Sequence, residues 1–294
     1  MARRRAAKPK LVATSGTAIV AAICPWKVTE EPAGIYVAAD TRTTYLLGGT
    51  TSPSYPPTDN TKKIVSLGNF GIGAYSGSQS SGLSALGNLA ASLFYKHSKP
   101  AWNDTTRKRI RECLVKGPPA AMKKAGPTRA HEFGRFQVVV GFYDDSDVPH
   151  LLVYEHPGDV LELVGRGPII IGSGMEFGDD FQRNVEQAIE ENRNSYRAQP
   201  DPLSEWGGLL GIGLHETFLK AEVDPFVGGG IHFASVTAKD GYRQNSRFMV
   251  YRPRAGEEWV SGQPLNTSKM EWVNLEPTDL TLYPTPQRKG LPQS

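Results

Sequence analysis

The chain predicts an α+β protein, a four-layer αββα sandwich of two stacked antiparallel sheets with a pair of helices outside each. Three observations lead there. The segments run in blocks (strands, two helices, strands, two helices, strands), whereas a parallel βαβ protein would alternate them singly. The strand-like blocks are short apolar runs broken by turns rich in Gly, Pro and Asn. With 294 residues, 39% of them hydrophobic and 21% charged, the chain has an ordinary globular composition and can bury a full core.

In order, Thr17–Ile23 and Gly34–Ala39 read as strands joined by the polar turn "CPWKVTEEPA". A long Gly/Pro/Ser/Thr loop, "LLGGTTSPSYPPTDN", follows. Two short strands, Lys63–Leu67 and Phe70–Tyr75, then flank a Gly-Asn turn. Ser80–His97 carries Leu83, Leu86, Leu89, Ala90, Leu93 and Phe94 at helical spacing, with Ser80 or Ser81 as its cap. A basic helix spans Asp104–Lys124. The pattern returns to strands at Phe136–Tyr143, His150–Tyr154, Val160–Val164 and Pro168–Ile171. Helices are expected again over Phe177–Tyr196 and Leu203–Ala221, then closing strands over Gly230–Ala238 and Ser246–Tyr251. From Arg252 the chain is rich in Pro and polar residues and reads as a wrapping or disordered extension, residues 252–294.

Charge is unevenly placed. "MARRRAAKPK" holds five Lys/Arg and no acid, the first acidic residue is Glu30, and the net charge is +3. Outside residues 1–10 the chain is close to neutral, so nucleic-acid binding would rest on the leader alone and is not expected. The leader itself reads as a solvated arm. "LVATSGTAIVAAIC" is interrupted by Thr, Ser and Gly, so neither a signal peptide nor a membrane span is expected, and the protein reads as cytoplasmic. Cys24 and Cys113 are too few for a disulfide framework or a metal site. His131 and His215 lack the second histidine of a zinc-protease helix. There is no G-x-S-x-G elbow, phosphate loop or dinucleotide fingerprint, and neither metal nor cofactor is expected.

The segments "GTAIVAAI", "GIYVAADTRTT", "NTKKIVSLGNFGIGAYSG", "LVGRGPIIIGSG" and "VDPFVGGGIHFASVTAKDG" occur in this order. Together they resemble the proteasome β-subunit family, bacterial relatives included, within the N-terminal-nucleophile hydrolases. The likeness covers roughly residues 16–245. It implies residues 1–16 as a propeptide and 17–251 as an Ntn-hydrolase domain. The implied activity is that of a self-processing threonine hydrolase of peptide or other amide bonds.

The chemistry can be followed from the residues. A threonine hydroxyl is a poor nucleophile until a base takes its proton. Cleavage before Thr17 would create an α-amine with a pKa of roughly 7.7–8.0 within the same residue. Gly16 would leave its carbonyl open to the Thr17 hydroxyl and tolerate a strained backbone. The resemblance implies Lys63 as the cation that lowers the hydroxyl's proton affinity, paired with Asp40 and supported by Arg42. Buried Lys and Asp are tolerable only together. Neighbouring lysines on a strand face opposite ways, and alignment on "KKIVSLGNFGIGAYSG" selects Lys63, leaving Lys62 solvated. Gly77, fourteen positions beyond Lys63, falls at the family's oxyanion glycine. A backbone N–H there would lower the barrier by roughly 3 kcal/mol. Ser173 and Asp224 match the residues that orient the amine. Tyr75 matches the floor of the pocket for the residue before the cut, which would favour small or medium apolar side chains.

The match has gaps. Where the family has a hydroxyl three residues after the aspartate, this chain has Val227, and the segments 17–40 and 42–63 look longer than usual. The competing expectation is therefore a catalytically inactive, scaffold-like subunit, with a basic-leader nucleic-acid module third. The expected partners are a peptide or protein substrate and further copies in a homo-oligomeric ring. An ATP-dependent unfoldase would be needed if the substrate is folded.

Overall fold

The structure, a computed structural model, describes residues 11–15, 17–25, 34–47, 61–94, 99–158, 160–172, 210, 211, 214, 231–244, 247–251 and 270–274. The strands of the first half are β1 (Leu11–Ser15), β2 (Ala18–Cys24), β3 (Gly34–Asp40), β4 (Thr44–Leu47), β5 (Ile64–Ser66) and β6 (Gly71–Ser78). Helices α1 (Gln79–Leu93) and α2 (Asp104–Ala125) follow. Then come β7 (Phe136–Tyr143), β8 (Pro149–His156), β9 (Val160–Val164), β10 (Ile169–Gly172), β11 (Ile231–Thr237), β12 (Gly241–Gln244), β13 (Arg247–Tyr251) and β14 (Met270–Asn274).

The strands form two antiparallel sheets. The first runs β4-β1-β6-β7-β8-β9, with β5 also on β6; the second runs β10-β2-β3-β11-β13-β14, with β12 on β11. β2 and β3 are buried at every position, as their unbroken apolar runs require of central strands covered on both faces. Ile19, Ile35, Val37, Ile72, Val139, Leu151 and Ala234 interlock between the sheets. On its other face the first sheet packs Val65, Leu67, Val138, Val140 and Leu152 against Leu86, Leu89, Ile110 and Leu114 of the helices. A helix pair, a sheet and a second sheet thus stack in that order, and the class is α+β. The helices expected over 177–196 and 203–221 lie outside the described residues, except that 210, 211 and 214 are helical and Leu210 and Leu214 are buried.

Several boundaries differ from expectation for identifiable reasons. Residues 1–10, expected as a solvated arm, lie outside the described residues, and β1 begins directly after them. The backbone groups of Leu11–Ser15 find partners on β4 and on the Ser78 end of β6. β5 and β1 line up along the same edge of β6, β5 on Ile72–Ala74 and β1 on Gly77–Ser78. Thr44–Leu47, which runs into the expected loop, is the strand on the other side of β1. The short polar β12 carries no periodicity to detect. β14, in the expected tail, pairs along all five residues with β13. The cap of α1 is Ser78, not Ser80 or Ser81. Ser78 has the extended backbone a cap needs and accepts from the Ser81 N–H, while the Ser81 hydroxyl accepts from Gly134 N–H. α2, expected over Asp104–Lys124, runs Asp104–Ala125, with Asn103 as its cap and Gly126 closing it.

Two helix glycines give opposite expectations for one substitution. A Cβ on Gly117 of α2 would stand 2.8 Å from the Ser84 carbonyl oxygen and 2.9 Å from Ala85 Cα of α1, whereas one on Gly87 would meet nothing within 4 Å. Gly87→Ala is expected to stabilise the fold by about 0.5–1 kcal/mol through helix propensity. Gly117→Ala is expected to cost about 1–3 kcal/mol by forcing the helices apart. Urea unfolding of the two variants checks the signs.

Candidate active site

Thr17 opens β2 and is completely buried, and its Oγ1 is a buried hydroxyl with no hydrogen-bond partner among the described residues. Such an oxygen is costly unless something else uses it. Directly after it, the Ala18 N–H donates to Asp40 Oδ1 at 3.0 Å. The same oxygen accepts from Lys63 Nζ at 2.9 Å, while Oδ2 accepts from the Arg42 N–H at 3.2 Å. Asp40 is 2% exposed and Lys63 fully buried, so each charge depends on the other. Three donors on one carboxylate hold it ionised and oriented. The antiparallel alternation puts Lys63, and not Lys62, on this carboxylate; Lys62 is half-buried instead of fully solvated. Arg42 is buried beside the pair, with its backbone closing the turn on Asp40.

Two glycines close the site. Gly77 has φ +83°, and a Cβ there would lie 2.5 Å from the Arg135 carbonyl oxygen. It stands opposite Ser15 of β1, so the chain just before Thr17 runs alongside it. Gly172, at φ +95°, lies so near the Thr17 carbonyl that a Cβ would fall 1.7 Å from its oxygen. No other residue type fits that approach. Between residues 15 and 17 the chain passes from the first sheet, where Ser15 pairs, to the second, where β2 begins.

Tyr75 is fully buried and belongs to the core between the first sheet and the helices. Its hydroxyl donates to the Lys62 carbonyl at 3.4 Å, and burial pushes its phenol well above the ordinary range. Gly16, Ser173, Asp224 and Val227 lie outside the described residues.

The sequence reading missed three polar residues near this end of the inter-sheet space. Ser76 and Gln137 face each other across β6 and β7, and the Gln137 Oε1 accepts from the Gly172 N–H at 2.9 Å. His232 on β11 lies opposite Ala39, one residue from Asp40. It is 1% exposed, and neither ring nitrogen has a partner among the described residues. Burial, and secondly the Lys62 charge, drive its pKa from 6.5 down to about 3, so it stays neutral near pH 7 and cannot serve as the acid or base of a neutral-pH reaction. Nothing in "GGGIHFASV" distinguishes it from the other scattered histidines.

Among the described residues, no three His, Cys, Asp or Glu side chains converge as a metal site, and no helix is long and apolar enough to cross a membrane. No protein-family model matches the chain, and neither does any curated protein.

The buried pair and the orphaned histidine each have a measurable signature. Asp40→Asn strands the Lys63 charge and is expected to cost about 3–5 kcal/mol; the double variant D40N/K63M recovers at least half of it. Chemical denaturation of the four proteins measures the coupling. For His232, the unfolded chain takes up a proton near 6.5 while the folded chain waits until about 3. Stability therefore falls as pH drops through that window, by up to about 1.4 kcal/mol per pH unit. His232→Leu is expected to raise the melting temperature at neutral pH and to flatten this acid limb, read by thermal unfolding from pH 7 to pH 4.

Proposed function

We propose that the protein is a threonine-type amide hydrolase of the Ntn class, proteasome β-subunit-like, which releases its own nucleophile by cutting before Thr17. One observation carries the reading: the chain crosses between the two sheets at Thr17, whose buried hydroxyl has no hydrogen-bond partner among the described residues and whose following N–H donates to Asp40 of the Asp40–Lys63 pair. A direct passage from one sheet to the other and a buried hydroxyl whose following N–H is held by the ion-paired Asp40 are features self-cleavage would use. The completed fold in this reading is the four-layer sandwich, with a helix pair from 177–221 covering the second sheet.

In the first step the Thr17 Oγ1 attacks the carbonyl carbon of residue 16. The C–N bond breaks as the proton given up by the hydroxyl passes to the leaving nitrogen, which becomes an amine, leaving an ester between residue 16 and the Thr17 oxygen. Water then hydrolyses that ester, freeing the leader's carboxylate and the α-amine of Thr17. In turnover the amine takes the hydroxyl proton, Lys63 stabilises the developing alkoxide, Asp40 keeps Lys63 charged, and the Gly77 N–H faces the oxyanion. The pairing of β1 with β6 at Gly77 supports that last assignment, since a substrate strand would occupy the same edge. Ser173 and Asp224 complete the amine's network in this reading, and Tyr75 bounds the pocket for the residue before the cut. Assembly of copies into a ring, with an ATP-driven unfoldase for folded substrates, belongs to the same proposal.

The test is the intact mass of the purified protein beside Thr17→Ala. The wild type is expected to begin at Thr17 and the variant to keep its leader. Processed wild type should cleave peptide amides, with activity rising as the amine deprotonates at roughly pH 7.7–8.0. A wild type that keeps residues 1–16 after assembly has no free amine, and the scaffold role suggested by Val227 replaces this reading.

A further inference from the structure

The inner face of the first sheet is apolar along most of its length, with Ile72 and Ala74 on β6 and Val139 on β7 packed against the second sheet. At the Thr17 end it changes character. Ser76 and Gln137 continue the same two alternations and are opposite each other in the ladder. Polar side chains at that depth need partners. The Gln137 Oε1 takes the Gly172 N–H at 2.9 Å, a hydrogen bond from one sheet to the other. The Ser76 Oγ stands 2.8 Å from where a Cβ on Gly172 would be. Gly172 is in turn opposite Ala18 in the β10–β2 ladder and pressed against the Thr17 carbonyl. A Gly172 displaced by a fraction of an ångström would therefore carry Thr17 with it. Apolar contacts between sheets resist separation but allow sliding; a hydrogen bond adds direction.

We propose that Gln137 is a positioning residue for the Thr17 reaction: its carboxamide fixes the end of β10 across the sheets, and through Gly172 holds the Thr17 backbone in register with the first sheet. In this role Gln137 acts through Gly172 and not as a catalytic group. The kinetic half of this inference rests on the hydrolase reading above; the structural half does not.

Two substitutions separate an acceptor from mere bulk. Gln137→Met keeps length and volume and removes the acceptor; Gln137→Glu keeps the acceptor, and Gln137 is only partly buried, so a carboxylate is tolerable there. Full-length wild type, Q137M, Q137E and T17A are compared in three measurements. These are the time course of leader loss by intact mass, kcat and KM on acetyl-Ala-Thr-Ser-Gly-aminocoumarin, and amide hydrogen exchange of the segment ending at Gly172. Q137M is expected to slow leader loss and kcat about tenfold with KM within twofold, the loss of one directional hydrogen bond. It should also exchange faster at Gly172. Q137E should stay within about threefold of wild type and keep the protection. Equal rates and equal exchange in Q137M and wild type overturn the proposal, as does a Q137E as impaired as Q137M. If wild type resembles T17A and never processes, the hydrolase reading has failed, and exchange alone decides the strut. Protection lost only in Q137M supports it, and protection unchanged in Q137M overturns it.

Discussion

One carboxylate joins the two sheets. Asp40 ends β3 in the second sheet, Ala18 opens β2 beside it, and Lys63 arrives from the segment leading into β5 of the first sheet. Either charge alone at that depth would cost several kcal/mol, so removing one partner is far more damaging than never having had the pair. That dependence brings three chain segments to one point: the start of β2, the end of β3 and the approach to β5. Thr17 is immobilised there because its following peptide N–H is one of the donors on Asp40. The site is thus built from backbone and ion-pair geometry before any question of catalysis arises.

The space between the sheets is graded. In its middle, branched aliphatic residues exclude water and set the spacing. At one end the same alternation presents Thr17, Ser76, Gln137 and His232. Dispersion and burial are indifferent to small sideways displacement, whereas hydrogen bonds and ion pairs are not. The apolar middle therefore supplies cohesion and the polar end supplies register. His232 shows the cost of polar groups in such a place. With no hydrogen-bond partner among the described residues, it is held neutral by burial, a liability for stability that the rest of the core has to offset.

The leader strand has a similar logic. β6 is longer than its partner β5, so its Gly77–Ser78 edge offers unpaired backbone groups unless another strand covers it. β1 covers it and is itself covered by β4. In this way main-chain pairing on both sides ties the segment just before Thr17 to the first sheet.

How much of this was legible depended on the range of the interaction. Unbroken apolar runs announced β2 and β3 and 3.6-residue spacing announced α1, because each signal lies within a few residues of its cause. Asp40, Lys63 and Thr17 could be named from local motifs, though their convergence could not be measured there. The strands β1, β4, β12 and β14 escaped notice, since a short strand exists only if a partner's edge is waiting for it, and that edge is supplied from elsewhere in the chain. The cap at Ser78 was misplaced by two or three residues, because Ser81 was already engaged by Gly134, over fifty positions away. The Gln137–Gly172 bond and the orphaned His232 had no sequence signal, being products of two sheets meeting. By itself, then, the sequence determined the α+β class and the buried strands through periodicity, and named the candidate nucleophile with its ion pair through the resemblance of its motifs to a known family. Only the tertiary structure decided which backbone edges pair and which polar side chains meet across the sheets, because those contacts join residues that are close in space and far apart along the chain.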